Sequence, residues 1–152
     1  MSNNHNTYSE YKKKPIYAKR LENELKPYHP TFINNTTCEF IYNSKKITLY
    51  VDTNFPFKPP IDVYIDGHST SNIPSRLLDH YILATKECPC CVSMASCNNW
   101  KPACKIEDLL NERISIRNKI LELRTISQHS KYILDRSHIP DFVENKILAF
   151  II

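Results

Sequence analysis

The sequence predicts an α+β domain: a short N-terminal helix packed on one face of a small antiparallel meander, followed by a long central helix. Three observations carry this. Apolar residues alternate with polar ones in short runs at 37–42, 47–51 and 61–65, the period of a half-buried strand. Tyr17, Leu21 and Leu25 recur at helical spacing among charges. From about Lys105 an apolar stripe of Ile106, Leu109, Leu110, Ile114, Ile120 and Leu121 continues to Leu123, wide enough to face a core.

Each element has its own punctuation. The first dozen or so residues lack any apolar period and read as a tail over 1–15, ahead of one domain spanning 16–152. The first helix begins near Ile16, and Pro27 ends it. In the first strand run Cys38, Phe40 and Tyr42 alternate with Glu39 and Ile41, and Asn43-Ser44 supplies a hairpin turn to Ile47, Leu49 and Val51. After the prolines at 56, 59 and 60, Ile61, Val63 and Ile65 form a third run, closed by Gly67. Leu77, Leu78, Tyr81 and Ile82 suggest a short helix opened by Pro74 and Ser75. A further C-terminal helical segment is expected over 125–152, with Pro140 at a helix start.

Composition excludes several classes. With 152 residues the chain supports one ordinary core. A hydrophobic fraction of 41% and a charged fraction of 24% suit a globular domain. No apolar run approaches the roughly 18 residues of a membrane span, so no membrane partner is expected. The N-terminus, MSNNHNTYSEYKKK, lacks the apolar centre of a signal peptide, which points to a reducing compartment, cytoplasmic or nuclear. A formal charge of +4, with basic residues dispersed beyond Lys12, Lys13, Lys14, Lys19 and Arg20, gives no reason to expect nucleic acid. The single glycine, Gly67, leaves no phosphate-cradling glycine-rich loop and argues against nucleotide chemistry.

The stretch ECPCCVSMASCNNWKPA, Glu87–Ala103, concentrates the chemistry, because most of the six cysteines lie in or beside it. Thiols in a reducing compartment are nucleophiles, metal ligands or buried apolar groups, and residue types alone leave all of these open. A zinc site is one alternative. Cys88 and Cys91 form a Cys-x-x-Cys pair, and Cys97 with Cys104 would complete four ligands, although that second pair is spaced more widely than zinc pairs usually are.

The motif FPFKPP at Phe55–Pro60, followed by Cys91-Val92-Ser93-Met94 and then Trp100-Lys101-Pro102-Ala103 before a long helix, resembles the ubiquitin-conjugating enzymes. That family has a Tyr-Pro-Phe-x-Pro-Pro turn, a nucleophilic Cys followed by Leu-(Ser/Asp)-Ile-Leu, then Trp-x-Pro-Ala. The resemblance spans about Ile16 to Leu123. It implies the ubiquitin-conjugating fold, with N-terminal helix, β-meander, long central helix and C-terminal helices. It implies Cys91 as the residue that accepts ubiquitin or a ubiquitin-like protein as a thioester and passes it on, with no cofactor. Sulfur suits this role because it is strongly nucleophilic and a thioester keeps the acyl group reactive. An activating enzyme would meet the basic first helix at Lys13, Lys14, Lys19 and Arg20. A ubiquitin ligase would meet Phe57, Pro102 and Ala103. Lys86 is near enough in sequence to Cys91 to favour its thiolate.

The departures bear on activity. The His-Pro-Asn that precedes the family's cysteine is absent, and with it the Asn that supports the loop and is proposed to stabilise the oxyanion. His80 or His68 with Asn72 are the candidates for site support, and Ile82 stands where an alignment through His80 would need the amide. Loss of an oxyanion donor costs about 100- to 1000-fold in rate. The alternative implied is a catalytically inactive variant of the same fold that acts as a binding module. The family's glycine-rich hairpin and its acidic loop after the central helix are also missing, so the sheet is expected to be one strand short or to have a degenerate first strand. Finally, Ile139, Pro140, Val143, Ile147, Leu148, Phe150 and Ile151 resemble the opening helix of an F-box, with Phe142 in place of an acidic residue.

Overall fold

The computed structural model describes residues 14–136 apart from Cys97. The architecture is α+β: helix α1 (Ile16–Leu25) with a single 3-10 turn (Lys26–Tyr28), an antiparallel sheet, helix α2 (Ser75–Thr85) and helix α3 (Ile106–Arg136). The sheet has five strands in sequential order, β1 (Thr31–Asn34), β2 (Thr37–Tyr42), β3 (Lys45–Tyr50), β4 (Asp62–Ile65) and β5 (His68–Ser69).

The alternation read from the sequence sets the two faces of the sheet. Cys38, Phe40, Tyr42, Ile47, Leu49, Val63 and Ile65 all point into the core, and the pairing of Ile47 with Ile65 and Leu49 with Val63 stacks them in rows. Opposite them lie Leu21 and Leu25 from α1 and Ile106, Leu109 and Leu110 from α3, each essentially inaccessible to solvent. Burying one such leucine contributes about 1.5–3 kcal/mol, and this face is where the fold gains its stability. On the outer face Thr48 donates to Glu39 at 3.2 Å, Lys46 pairs with Glu39 at 2.9 Å, and the rings of Tyr50 and Tyr64 meet edge to face.

Both central hairpins turn through left-handed residues. Asn43 and Ser44 have φ of 49° and 60°, and Asp66 and Gly67 have 51° and 79°, the backbone of a tight turn matched to strand twist. Gly67, expected to close the last strand, instead reverses the chain into β5, and Asp66 also accepts the Lys46 N–H through its carboxylate at 3.0 Å.

Several boundaries differ from the sequence reading. The sheet is not one strand short: β1 is present, but it is solvent-exposed throughout and its register slips between Phe32 and Asn34. Four exposed residues carry no alternation to read, so its pairing with β2 decides it. Ile61 lies outside β4 and is 64% exposed, because the chain reaches the inward face first at Val63. In α3 the buried face is Ile106, Leu109, Leu110, Arg113 and Ile116, while Leu121 is exposed. The helix runs unbroken through residue 125 to Arg136, and the rest of the expected 125–152 segment lies outside the described residues. The tail at 1–13 and the F-box-like residues from Ile139 to Ile151 lie outside the described residues, as does Lys13.

Candidate functional site

The cysteine stretch is a turn-rich loop between α2 and α3, and its geometry follows from three anchors. At its C-terminal end Trp100 is buried against Phe55, and its indole N–H donates to the carbonyl of Pro56 at 2.7 Å. This contact joins the proline turn to the Trp-Lys-Pro-Ala segment, two motifs far apart in sequence. The Phe55-Pro56 peptide is cis.

The second anchor is Glu112 on α3. One carboxylate oxygen accepts the hydroxyl of Ser93 at 2.6 Å and the other accepts the N–H of Met94 at 2.7 Å. Charge-assisted bonds of this kind are shorter and stronger than neutral ones. Ser93 is buried, whereas its neighbours Cys91 and Val92 are exposed, so the clamp presents the thiol outward.

Asn99 is the third. Its side-chain amide donates to the carbonyls of Cys91 and Ser93, each at 3.0 Å. An amide NH2 has two protons, and both are engaged in holding the loop. Neither Asn99 nor Glu112 was among the residues expected from sequence. Asn99 carries a signal, an amide immediately before the anchoring Trp100; Glu112 carries none, being one acidic residue among several on a solvated helix.

Cys88, Cys90 and Cys91 converge, with all three sulfurs within 4.8 Å of one another. Cys88 and Cys90 are 2.6 Å apart and Cys90 and Cys91 3.7 Å. The side-chain contact with Cys90, helped by the backbone N–H groups of Cys90 and Cys91, lowers the Cys88 pKa to about 7. The same contact, with Cys91 adding to it, raises Cys90 to about 11. Cys38, buried under β2, is pushed up to about 12 by desolvation.

Of the four alternative zinc ligands, Cys88 and Cys91 come together. Cys90 joins Cys88 and Cys91, whereas Cys104 is not part of the cluster: it packs against the core and accepts the Lys101 N–H at 3.3 Å. Cys97 lies outside the described residues.

The support residues are placed as follows. His68 and Asn72 line one groove of about 260 Å³ with Arg113, Arg117 and Arg124, and no cysteine is part of that lining. His68 Nδ1 is 2.9 Å from the Asp66 carbonyl and 3.5 Å from the Arg117 guanidinium. A second cleft, of about 270 Å³, shares Thr70, Ile73 and Arg113 with the first and is lined by Cys90 and Ser93. His80 is half-buried on α2 and lines neither. Lys86 ends that helix in a left-handed conformation, φ 62°, with its N–H on the Ile82 carbonyl at 2.8 Å.

The expected partner-binding residues divide. Phe57 is 73% exposed at the tip of the proline turn. Pro102 and Ala103 are exposed and share a shallow depression with Arg20 and Glu24. Lys19 is exposed, and Lys14 pairs with Glu22. Arg20 departs from the expectation of a free basic face. It pairs with Glu24, donates to the Cys104 carbonyl at 3.0 Å and lies 5.7 Å from the centre of the Phe55 ring, so its first role is to join α1 to the loop.

No family model, curated protein or solved structure matches this chain. Among the described residues no helix is long and apolar enough to cross a membrane.

Proposed function

We propose that this protein is a divergent member of the ubiquitin-conjugating fold that accepts ubiquitin or a ubiquitin-like protein as a thioester on Cys91. The observation that carries the reading is the Trp100–Pro56 bond at 2.7 Å. It draws the proline turn and the Trp-x-Pro-Ala segment into one buried cluster, from which the loop bearing an exposed Cys91 emerges. The N-terminal helix, the meander with its proline turn, the cysteine loop and the long helix follow one another along the chain, with the additional helix α2 between sheet and cysteine loop.

Charging is a transthioesterification. The Cys91 thiolate attacks the carbonyl carbon of the modifier's thioester on an activating enzyme; a new S–C bond forms, the old one breaks, and the leaving thiolate takes up the proton that Cys91 released. In the second transfer an acceptor amine or thiol bonds to the carbonyl carbon, the Cys91 S–C bond breaks, and the Cys91 thiolate takes up the acceptor's proton. Asn99 takes over the loop-supporting part of the missing Asn, but both of its N–H groups are spent on Cys91 and Ser93, leaving none for the oxyanion that forms when an amine attacks. Partners of this reading are the modifier, an activating enzyme at the α1 face and a ligase at Phe57, Pro102 and Ala103.

The test is a charging reaction with activating enzyme, ATP and ubiquitin on wild type, Cys90→Ala and Cys91→Ala, run on gels with and without reductant. A reductant-sensitive adduct lost in Cys91→Ala and kept in Cys90→Ala is expected. Cys90 is included because its side, rather than that of Cys91, lines the adjoining cleft. Absence of an adduct with each of several modifiers would sink the acyl-transfer reading and leave the fold as a binding module.

A further inference from the structure

We propose that Cys88, Cys90 and Cys91 form a binding site for a soft monovalent metal ion of the Cu(I) class. Three thiols are presented by four consecutive residues, and every pair of sulfurs is within 4.8 Å. Cys90 and Cys91, at 3.7 Å, already stand at a separation at which both sulfurs reach one ion with metal–sulfur bonds of about 2.3 Å. Cys88 and Cys90, at 2.6 Å, must part by about 1 Å to share it, which rotation of partly or fully exposed side chains accomplishes without disturbing the core.

The donor set selects the metal. Thiolate is a soft ligand and favours Cu(I), Zn(II) or iron–sulfur chemistry over oxygen-seeking ions. Structural zinc takes four ligands in a closed tetrahedron. Among the described residues the cluster contains three sulfurs, and no His, Asp or Glu joins it. Three thiolates on an open surface loop suit an ion of low coordination number such as Cu(I).

The loop is also held in place before any ion arrives. Cys91 N–H bonds the Cys88 carbonyl at 3.0 Å, and Val92 N–H bonds the same oxygen at 3.1 Å, which folds the segment so that its side chains gather on one side. Asn99 holds the Cys91 carbonyl through its side-chain amide at 3.0 Å. On binding, each coordinating thiol exchanges its S–H bond for an S–metal bond and releases a proton to solvent. Copper stays Cu(I), so no electron donor or acceptor is needed.

This inference rests on sulfur geometry and not on the acyl-transfer reading. The two meet at Cys91, since an ion held there occupies the sulfur that charging requires. The experiment omits activating enzyme and modifier, so either proposal can fail alone. Full-length protein, reduced and anaerobic, is titrated into the coloured Cu(I) complex of bathocuproine disulfonate, and loss of colour reports transfer. Wild type should take about one equivalent. Cys88→Ser and Cys90→Ser should each weaken transfer at least tenfold, the triple Cys88, Cys90, Cys91→Ser variant should take none, and Cys104→Ser should match wild type. The triple variant retains Cys38, Cys97 and Cys104. Its fold is checked by the emission of Trp100, the single tryptophan. Transfer to a folded triple variant equal to wild type, or no transfer to wild type, would overturn the site. Retention of Zn(II) through gel filtration in preference to Cu(I) would overturn the assignment of the metal class.

Discussion

Glu24 on α1 accepts the backbone N–H of Ile106, the first residue of α3, at 2.9 Å, so one helix supplies the cap of another that begins 82 residues later. The first N–H groups of a helix have no partner within it, and a carboxylate there also answers the positive end of the helix dipole. Arg20 pairs with the same carboxylate and reaches Cys104, which fixes α1, the cysteine loop and α3 together.

Glu24→Ala should lower stability by about 1 kcal/mol, the usual worth of a helix cap. Glu24→Gln, which keeps an acceptor oxygen but gives up the ion pair, should lose less. Urea unfolding followed by the emission of Trp100 measures both, with a shifted midpoint and an unchanged slope expected. Equal midpoints for wild type and Glu24→Ala would remove the interhelical cap from the account.

Trp100→Phe tests the junction of the two motifs. Phe keeps an aromatic ring against Phe55 but has no N–H, so the Pro56 carbonyl loses its donor. Removing one partner of a buried hydrogen bond costs about 1–3 kcal/mol. Far-ultraviolet circular dichroism replaces fluorescence as the probe, because this variant has no tryptophan. Stability equal to that of wild type would show that ring packing alone joins the two segments.

Asn99→Ala should loosen the loop with little effect on the sheet. The lost bonds to Cys91 and Ser93 are worth about 0.5–1.5 kcal/mol each. Hydrogen exchange should therefore speed up across residues 88–96 while β2, β3 and β4 keep their protection. If exchange in the loop were unaltered, Glu112 would be sufficient by itself to hold it.

The thiols should label in a defined order as pH rises. Only the thiolate is alkylated. Cys88, lowered by its contact with Cys90, should label with iodoacetamide at lower pH than Cys90, which the same contact raises. Cys38 should stay unlabelled in the folded protein, being buried and raised to about 12. Peptide mapping by mass spectrometry reads each site. In Cys90→Ser the side-chain contact with Cys88 changes, and the Cys88 profile should move; an unmoved profile would mean that the backbone N–H groups dominate.

The α+β class, the limits of α1, the two central strands and their hairpin, and the start of α3 were legible in the order of residues alone. These follow from local periodicity and turn chemistry: Cys38, Phe40 and Tyr42 alternate with outward residues whatever lies above them, and Asn43-Ser44 tolerates positive φ at both positions. The sequence also pointed to the cysteine stretch and the two motifs around it. Tertiary structure decided the rest. Strand β1 is legible only through its pairing with β2, since exposed residues carry no pattern. Arg20, one more cation on a basic helix in the sequence, is drawn inward by Glu24 and Cys104. Cys90 replaces Cys104 beside Cys88 and Cys91 because the turn at Cys88–Val92 gathers neighbouring side chains, a choice that depends on backbone path and not on spacing. Asn99 and Glu112 hold the loop from two sides, and long-range hydrogen bonds of this kind leave no period in a sequence because their partners are set by how the loop lies against α3.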